Sequence, residues 1–424
     1  MIPVLENKFK NRKIIALHVD KRFCGQKNNE NISSLCETDA EKVQMFLEKE
    51  LPEIDADLIR IIEWRPSLNY YREDYVKLLS IVVDFIKRTD AEKRTTAFFG
   101  KRWIKNFFRN LQNIEKILLY KTTDIPVIVT GSGPSLEDAL PIISKFQETC
   151  LVISASSSVL ALSSAGIMPD IVITTDGGCW ALQHIYSLGR NEKTKAVAAT
   201  LCSALPSQCR DTPHLIINDG SFWQNIILHE LSIPSIIIPQ KGTVSASAIE
   251  LAMILSAGNI YLAGMDLAVN DIKTHARPYG FDAIFYGSAN RFMPFYSHSF
   301  KRSRLLHDGG SMNIYSTWFK NQLNAWPEKI FSLNKSNIFR FSLPPEGKKN
   351  KNMENHLKPV SIKKDPALFY KKGYSALLKG IDVQDYSKNL LRELAPLLFP
   401  GENNITGEKL KTSILEIANR YDKG

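Results

Sequence analysis

The sequence predicts an α/β protein: a doubly wound sheet flanked by helical N- and C-terminal regions. Seven short β-rich runs follow one another between Pro126 and Asp266: PVIVT, CLVISA, DIVITTD, AVAATL, HLIIND, SIIIPQ and NIYLAGMD. Stretches of helical character separate them, at Ser135 to Phe146, Ser157 to Ala165, Trp180 to Leu188, Ser221 to Leu231 and Ser245 to Ala257. Most of the runs lack period-two alternation, the pattern of strands covered by helices on both faces. Alternation of the two kinds of element then gives a mostly parallel, doubly wound sheet.

From Met1 to about residue 120, apolar residues recur at three and four, as in Asp74 to Ile86 and Trp103 to Leu119, which predicts a helical N-terminal region over 1–120. The core is placed at 121–342. Within it, over 268–313, the regular alternation stops and a long connection rich in aromatic and basic residues begins; connections of that length are usually functional or disordered. It is read as a lid, with packing of a small subdomain as the alternative. The stretch 343–366, LPPEGKKNKNMENHLKPVSIKKDP, has linker chemistry: prolines, a charge run and no apolar period. Two or three amphipathic helices, broken at Pro400 and Gly401, complete the C-terminal region over 367–424.

Composition narrows the class. The chain has 424 residues, 44% apolar and 23% charged, which is globular and long enough for two or three domains. Its first twenty residues scatter charge among the apolar positions, so no secretory signal is expected. The uncharged segment Thr149 to Pro169 contains six serines and reads as a strand, a turn and a short helix rather than a membrane span. Neither membrane insertion nor nucleic-acid binding is expected. The six cysteines show no CxxC pair and no histidines at zinc spacing, so they read as small buried hydrophobes in a reducing cytoplasm. Net charge is +10, yet Lys121 to Asn270 holds seven Lys and Arg against twelve Asp and Glu, leaving +15 on the flanks. Solvated helix faces are the favoured reading of that basic surplus.

In open α/β sheets ligands bind beyond the carboxyl ends of the strands, so the strand-closing residues carry the information. The first core strand closes with Gly131, Ser132, Gly133, Pro134 and Ser135, and Ser135 is placed to cap a helix with Glu137 and Asp138 in its first turn. Two glycines and a helix N-terminus make an anion site, or else a tight turn. It is not a dinucleotide fingerprint, because Pro134 follows the second glycine and Leu136 stands at the third-glycine position. The second strand ends in hydroxyls, Ser156 among them. Asp176, before two glycines, either bonds a ribose or sugar hydroxyl or caps the helix that follows. Lys241, Gly242, Thr243 and Ser245 open a helix where amides, dipole and ammonium would face a phosphate or carboxylate. Beyond Gly264 and Asp266 stand Thr274 and His275; a histidine near strand termini is a candidate general base, or a solvent-exposed bystander.

Four segments, VTGSGPSLED, PDIVITTD, KGTVSASAIELA and IYLAGMDLAVNDIKTHA, occur in order and at compatible spacing. Together they resemble the motility-associated factor (Maf) family of flagellin glycosyltransferases, whose core is related to archaeal 6-hydroxymethylpterin diphosphokinases. The resemblance spans roughly residues 95 to 335. It implies a Rossmann-like, sialyltransferase-like sheet and a CMP-activated nonulosonic acid donor, pseudaminic or legionaminic acid. The acceptor would be serines and threonines of flagellin. By position, 131–135 would form the nucleotide loop, while Asp176, Lys241, Gly242, Thr243, Ser245, Asp266 and His275 fall on the family's other motif positions. The chain departs from the family pattern at Gly177 and Gly178, where a proline is common.

On that reading the enzyme orients the acceptor, removes its proton and stabilises the leaving phosphate, with neither cofactor nor metal required. His275 is the expected base, with Asp266 as its orienter or as the alternative base. Tyr279 and Tyr286 of the lid would donate to phosphate while neighbouring aromatics stack on the nucleobase. Two rival readings remain. A diphosphokinase would need Mg²⁺ and a carboxylate pair, for which Asp266 with Asp271 is the candidate. A non-enzymatic flagellin-binding assembly factor would need no nucleotide.

Overall fold

A computed structural model describes residues 2–9, 12–20, 22, 31–51, 58–186, 195–240, 242–308, 319, 326, 328–336, 339–347, 351, 353–362 and 365–422. The chain divides into two compact units, Met1–Phe98 and Phe99–Gly424.

The first unit holds α1 (Ile2–Lys8), β1 (Ile14–His18), β2 (Ile32–Cys36), α2 (Ala40–Glu50), α3 (Arg65–Tyr70) and the first part of α4 (Arg72–Asn113). β1 and β2 pair in parallel, with Ile14 opposite Ile32. The Asp39 carboxylate starts α2 by accepting the Lys42 N–H at 3.1 Å, and Val43, Leu47, Leu78 and Phe85 form the core of the unit. The reading of residues 1–120 as a helical region is corrected here by β1 and β2, runs of five residues too short to display a period of their own.

The second unit is the α/β core. After the rest of α4 come β3 (Lys116–Tyr120), β4 (Val127–Thr130), α5 (Leu136–Phe146), β5 (Leu151–Ala155), α6 (Val159–Ser164), β6 (Ile171–Thr174), α7 (Leu182–Ile185), β7 (Ala196–Thr200), β8 (His214–Asn218), α8 (Phe222–Glu230), β9 (Ile236–Ile237), α9 (Val244–Leu255) and β10 (Ile260–Ala263). Then follow α10 (Asp282–Ser288), α11 (Phe295–Asp308), β11 (Ile330–Ser332), β12 (Leu357–Ser361), α12 (Pro366–Asp382), α13 (Gln384–Leu398) and α14 (Gly407–Asn419). The strand order is β11-β10-β4-β5-β6-β7-β8-β3-β12, with β9 on β8. Every pairing in this sheet is parallel except β12 on β3. Each of the seven β-rich runs contains a strand.

The central strands are buried on both faces, as their unbroken hydrophobicity requires. Val127, Val129, Ile153 and Ile173 pack with Ala248, Ile249 and Ala252 of α9. On the opposite face Ile128 packs with Leu136 and Ile143 of α5, and Val172, Val197 and Ile216 with Phe107 and Ile227. Helices α12 to α14 join that second cluster through Tyr370, Leu394 and Ile414.

Several boundaries differ from expectation. The helical pattern of Trp103 to Leu119 stops at Asn113, and β3 enters the sheet between β8 and β12; an apolar run as short as Ile117 to Leu119 fits either periodicity. The 268–313 connection contains α10 and α11, though 309–313 lie outside the described residues. The supposed linker 343–366 supplies β12, an antiparallel edge strand in which Pro359 faces Leu118; an edge position tolerates the missing N–H. Lys351 anchors the same stretch, its ammonium donating to the Gln147 and Cys150 carbonyls and at 2.5 Å to Asp170 Oδ2.

The cysteines also depart from a uniform buried role. Cys150 and Cys209 are buried free thiols, Cys179 is exposed, and Cys36 is disulfide-bonded; Cys24 lies outside the described residues. No helix among the described residues is long and apolar enough to cross a membrane.

Candidate functional site

Strand order reverses at β4, because the chain walks outward through β5, β6, β7 and β8 and then returns to add β10 and β11 on the other side. A crevice is expected beyond the carboxyl ends at such a point. Here it is built from the 131–135 loop after β4 and the 264–267 loop after β10. The Gly131 N–H donates to Ala263 O and the Gly133 N–H to Gly264 O, both at 2.8 Å. Gly264 has φ +65°, a conformation that favours glycine. A Cβ on Gly133 would lie 2.0 Å from Asp266 Oδ2 and 2.8 Å from Gly264 O, so this position admits no side chain.

Asp266 is the charge at the centre of the crevice. Its Oδ2 accepts the Ser135 N–H at 3.1 Å, at the N-terminus of α5, where a carboxylate is stabilised by the helix dipole. Two expectations change with this bond. Ser135 stands at the cap position in helical conformation and makes no side-chain cap; instead its own N–H is taken by the aspartate from across the crevice. Nor does Asp266 orient His275, whose Nδ1 is paired with Thr274 Oγ1 at 2.9 Å.

Hydroxyls and a third loop close the crevice. Ser157 donates to Ser132 Oγ at 2.9 Å, and neighbouring Ser156 is buried. Thr243 caps α9 by accepting the Ala246 N–H at 3.1 Å; Gly242 has φ +74°, and Ser245 Oγ approaches the space beside Gly131. Lys241 lies outside the described residues. The 274–279 loop is fastened to the first loop by Ala276 N–H to Ser132 O at 2.8 Å. Glu137 of α5 holds it again, accepting from Arg277 N–H at 3.0 Å and from Lys273 Nζ at 2.7 Å.

His275 therefore stands beside the crevice, stacked on Tyr279 with centroids 4.1 Å apart and planes at 19°. Burial first, then the Arg302 cation and His184, push the imidazole down to about 3, so it is neutral at ordinary pH. Arg302 of α11 donates to Tyr279 Oη at 3.1 Å. With Arg277 it lines a shallow recess, open to solvent, next to His275.

Two predicted residues stand apart from this constellation. Tyr286 is 60% exposed and stacks on Phe295, whereas Tyr279 lines the recess. Asp176 is exposed at the end of β6, two strands from β4, and its Oδ1 accepts the Gly178 N–H at 2.7 Å, a local turn bond. Sequence reading missed Glu137 as the loop tether and Asn334, whose Nδ2 donates to Ser135 O at 3.0 Å. Glu137 was visible only as a first-turn acid, and Asn334 carried no motif. Among the described residues no three His, Cys, Asp or Glu side chains gather as metal ligands.

Comparisons with known proteins fall on this same region. Residues 101–271 match the family model described as 6-hydroxymethylpterin diphosphokinase MptE-like. This stretch is similar to MptE-like domains. It contains the glycine loop, Asp176 and Asp266, and it ends four residues before His275. An uncharacterized protein of Treponema pallidum is 27% identical over 342 residues, covering 78% of this chain and 71% of that protein. The 6-hydroxymethyl-7,8-dihydropterin pyrophosphokinase of Methanothermobacter thermautotrophicus is 34% identical over 160 residues, covering 37% of this chain and 64% of that enzyme. Beyond that stretch, the chain is similar in fold to the Maf glycosyltransferase from Magnetospirillum magneticum AMB-1, at TM-score 0.56 and 12% identity, over 99% of this chain and 72% of that one.

Proposed function

We propose that the protein is a glycosyltransferase moving a nonulosonic acid, pseudaminic or legionaminic acid, from its CMP-activated form to serine and threonine hydroxyls of flagellin in the cytoplasm. One observation carries the reading: the loop bearing His275 is hydrogen-bonded onto the glycine loop at the reversal of strand order, which brings a candidate base to the place where a nucleotide would bind. The fold shared with a Maf glycosyltransferase supports it.

In the proposed reaction the acceptor hydroxyl attacks the anomeric carbon from the face opposite the phosphate. The new C–O bond forms as the C–O bond to phosphate breaks, CMP leaves with the electron pair, and the acceptor proton passes to His275. The stereochemical outcome is inversion. The donor's good leaving group allows the step to run without metal. Asp266 at the α5 N-terminus repels a phosphate placed directly on that helix, so the donor is expected to present hydroxyls to Asp266 and its anionic groups toward the arginines.

The test incubates the protein with CMP-activated pseudaminic or legionaminic acid and flagellin in EDTA. Release of CMP together with a matching mass increase on intact flagellin is expected; no transfer with either donor overturns the reading. A second reading is favoured by the MptE-like match and the pyrophosphokinase relative: diphosphate transfer from ATP to a pterin, with Asp266 and Asp271 toward Mg²⁺. Thermal stabilisation by ATP with Mg²⁺, and none by CMP, would decide for it, since a bound nucleotide stabilises the native state by mass action.

A further inference from the structure

We propose that the recess between the 272–282 loop and α11 is a receptor for one oxyanion, a carboxylate or a phosphate, held between the guanidiniums of Arg277 and Arg302 beside His275.

Two half-buried cations line one small space, and neither forms an ion pair with a described carboxylate. Each instead gives a hydrogen bond to a neutral hydroxyl: Arg277 to Ser299 Oγ at 3.0 Å and Arg302 to Tyr279 Oη at 3.1 Å. Each also lies against aromatic rings. The Arg277 guanidinium carbon is 4.4 Å from the Phe295 centroid, and that of Arg302 is 5.3, 5.5 and 5.8 Å from Tyr279, Phe281 and Phe285. The ring contacts restrain the guanidiniums, and with one hydrogen bond used by each, other N–H donors are left for a ligand. Partly desolvated charge is costly when unpaired, and bidentate donation to a planar or tetrahedral oxyanion is what such a pair is suited to satisfy.

The groups facing His275 are Arg302 from α11, His184 from α7, and Tyr279, Arg277 and Asp282 from its own loop and the start of α10. Asp282 is committed in part, accepting the Tyr279 N–H at 2.9 Å. With the imidazoles neutral, two arginines against one aspartate leave the recess with a surplus of one positive charge. An arriving monoanion cancels it. The same anion favours protonation of His275, so occupancy of the recess would strengthen the imidazole as a base at the moment the donor is in place.

The recess stands on these contacts alone; identifying its anion with the donor's carboxylate or phosphate rests on the glycosyl-transfer reading. The experiment follows isotopically labelled His275 by NMR in the full chain during titration with sodium phosphate, with N-acetylneuraminate and with CMP. At least one probe is expected to move the His275 resonances and shift its titration upward. Response to phosphate and CMP alone assigns a phosphate site, and response to N-acetylneuraminate assigns a carboxylate site. Arg302→Gln should weaken the response at least about tenfold, with partial recovery in Arg302→Lys. Arg277→Gln carries the same test should Arg302→Gln fail to fold. No response to any probe, or a response unchanged in the folded variants, overturns the proposal. Anion binding without sugar transfer would leave the recess standing while removing the glycosyl-transfer reading.

Discussion

At the scale of single residues, two positions can be tested directly. Gly133 faces Asp266 and the Gly264 carbonyl at distances that exclude a Cβ. Gly133→Ala should lower stability by about 1–3 kcal/mol, the usual cost of overpacking, in urea unfolding, and the loss should shrink in an Asp266→Ala background because one of the two clashing groups is gone. An unchanged midpoint would mean the crevice is more open than described. His275→Ala should reduce transfer by roughly 10²–10⁴-fold while donor affinity holds, since proton removal matters chiefly in the transition state. Asp266→Asn discriminates: if it abolishes transfer while His275→Ala retains it, the base is the aspartate. The pH profile gives an independent check. A base must be neutral, and His275 in the free protein is protonated only as pH falls toward about 3. The kcat/KM profile, which reports the free enzyme, should therefore show no His275 inflection near the ordinary value of about 6.5.

At the scale of elements, carboxylates and an ammonium from distant segments complete ends that local sequence leaves open. Ser221 begins α8 without a side-chain cap. The Glu393 carboxylate of α13 accepts the Phe222 and Trp223 N–H groups instead, both at 3.0 Å. Glu393→Ala should cost about 1–2 kcal/mol, at the level of a strong helix cap, and shift the urea midpoint accordingly. The 343–366 segment depends on Lys351 in the same way. Its side chain is 11% exposed and pairs with Asp170, 3% exposed, whose other oxygen lies 3.5 Å from Lys195. Lys351→Ala should destabilise by roughly 3 kcal/mol, because it leaves a buried carboxylate with the Val152 N–H and the solvent-facing Lys195 but no buried cation. A variant as stable as the parent would restore the linker reading.

For the molecule as a whole, four histidines make stability sensitive to acid, His18 being lowered by burial along with three others. Burial is the first cause in each: His184 and His214 are pushed down to about 4 and His275 to about 3. The unfolded chain takes up these protons below about pH 6.5, whereas the folded chain resists until about pH 4 at His184 and His214 and about pH 3 at His275. The histidine contribution is thus fully present above pH 6.5 and is lost as pH falls from 6.5 toward about 4 for His184 and His214 and about 3 for His275. The thermal midpoint should drop from pH 7 to pH 5, and the drop should be smaller in His214→Gln, whose site in β8 is almost fully buried. Equal midpoints at the two pH values in the parent protein would contradict this assignment.

The sheet was legible in sequence because strands covered on both faces must be continuously apolar, and their closing residues must carry the loops. The runs from PVIVT to NIYLAGMD and the residues that end them needed nothing else. β3 and β12 were not legible, since a short edge or near-edge strand has no period to show and a proline or lysine there is tolerated. The glycine loop could be read as a crevice element from its own residues. Which groups meet in that crevice could not. Asp266 accepts the Ser135 N–H across 131 residues of chain, Glu137 tethers a loop 140 residues on, and Arg302 reaches Tyr279 and the surroundings of His275 from a separate helix. Local sequence sets backbone propensity and burial, which act over a few residues. The charge state of His275 and the partner of Asp266 depend on contacts through space, and only the folding of distant segments onto one strand end creates them.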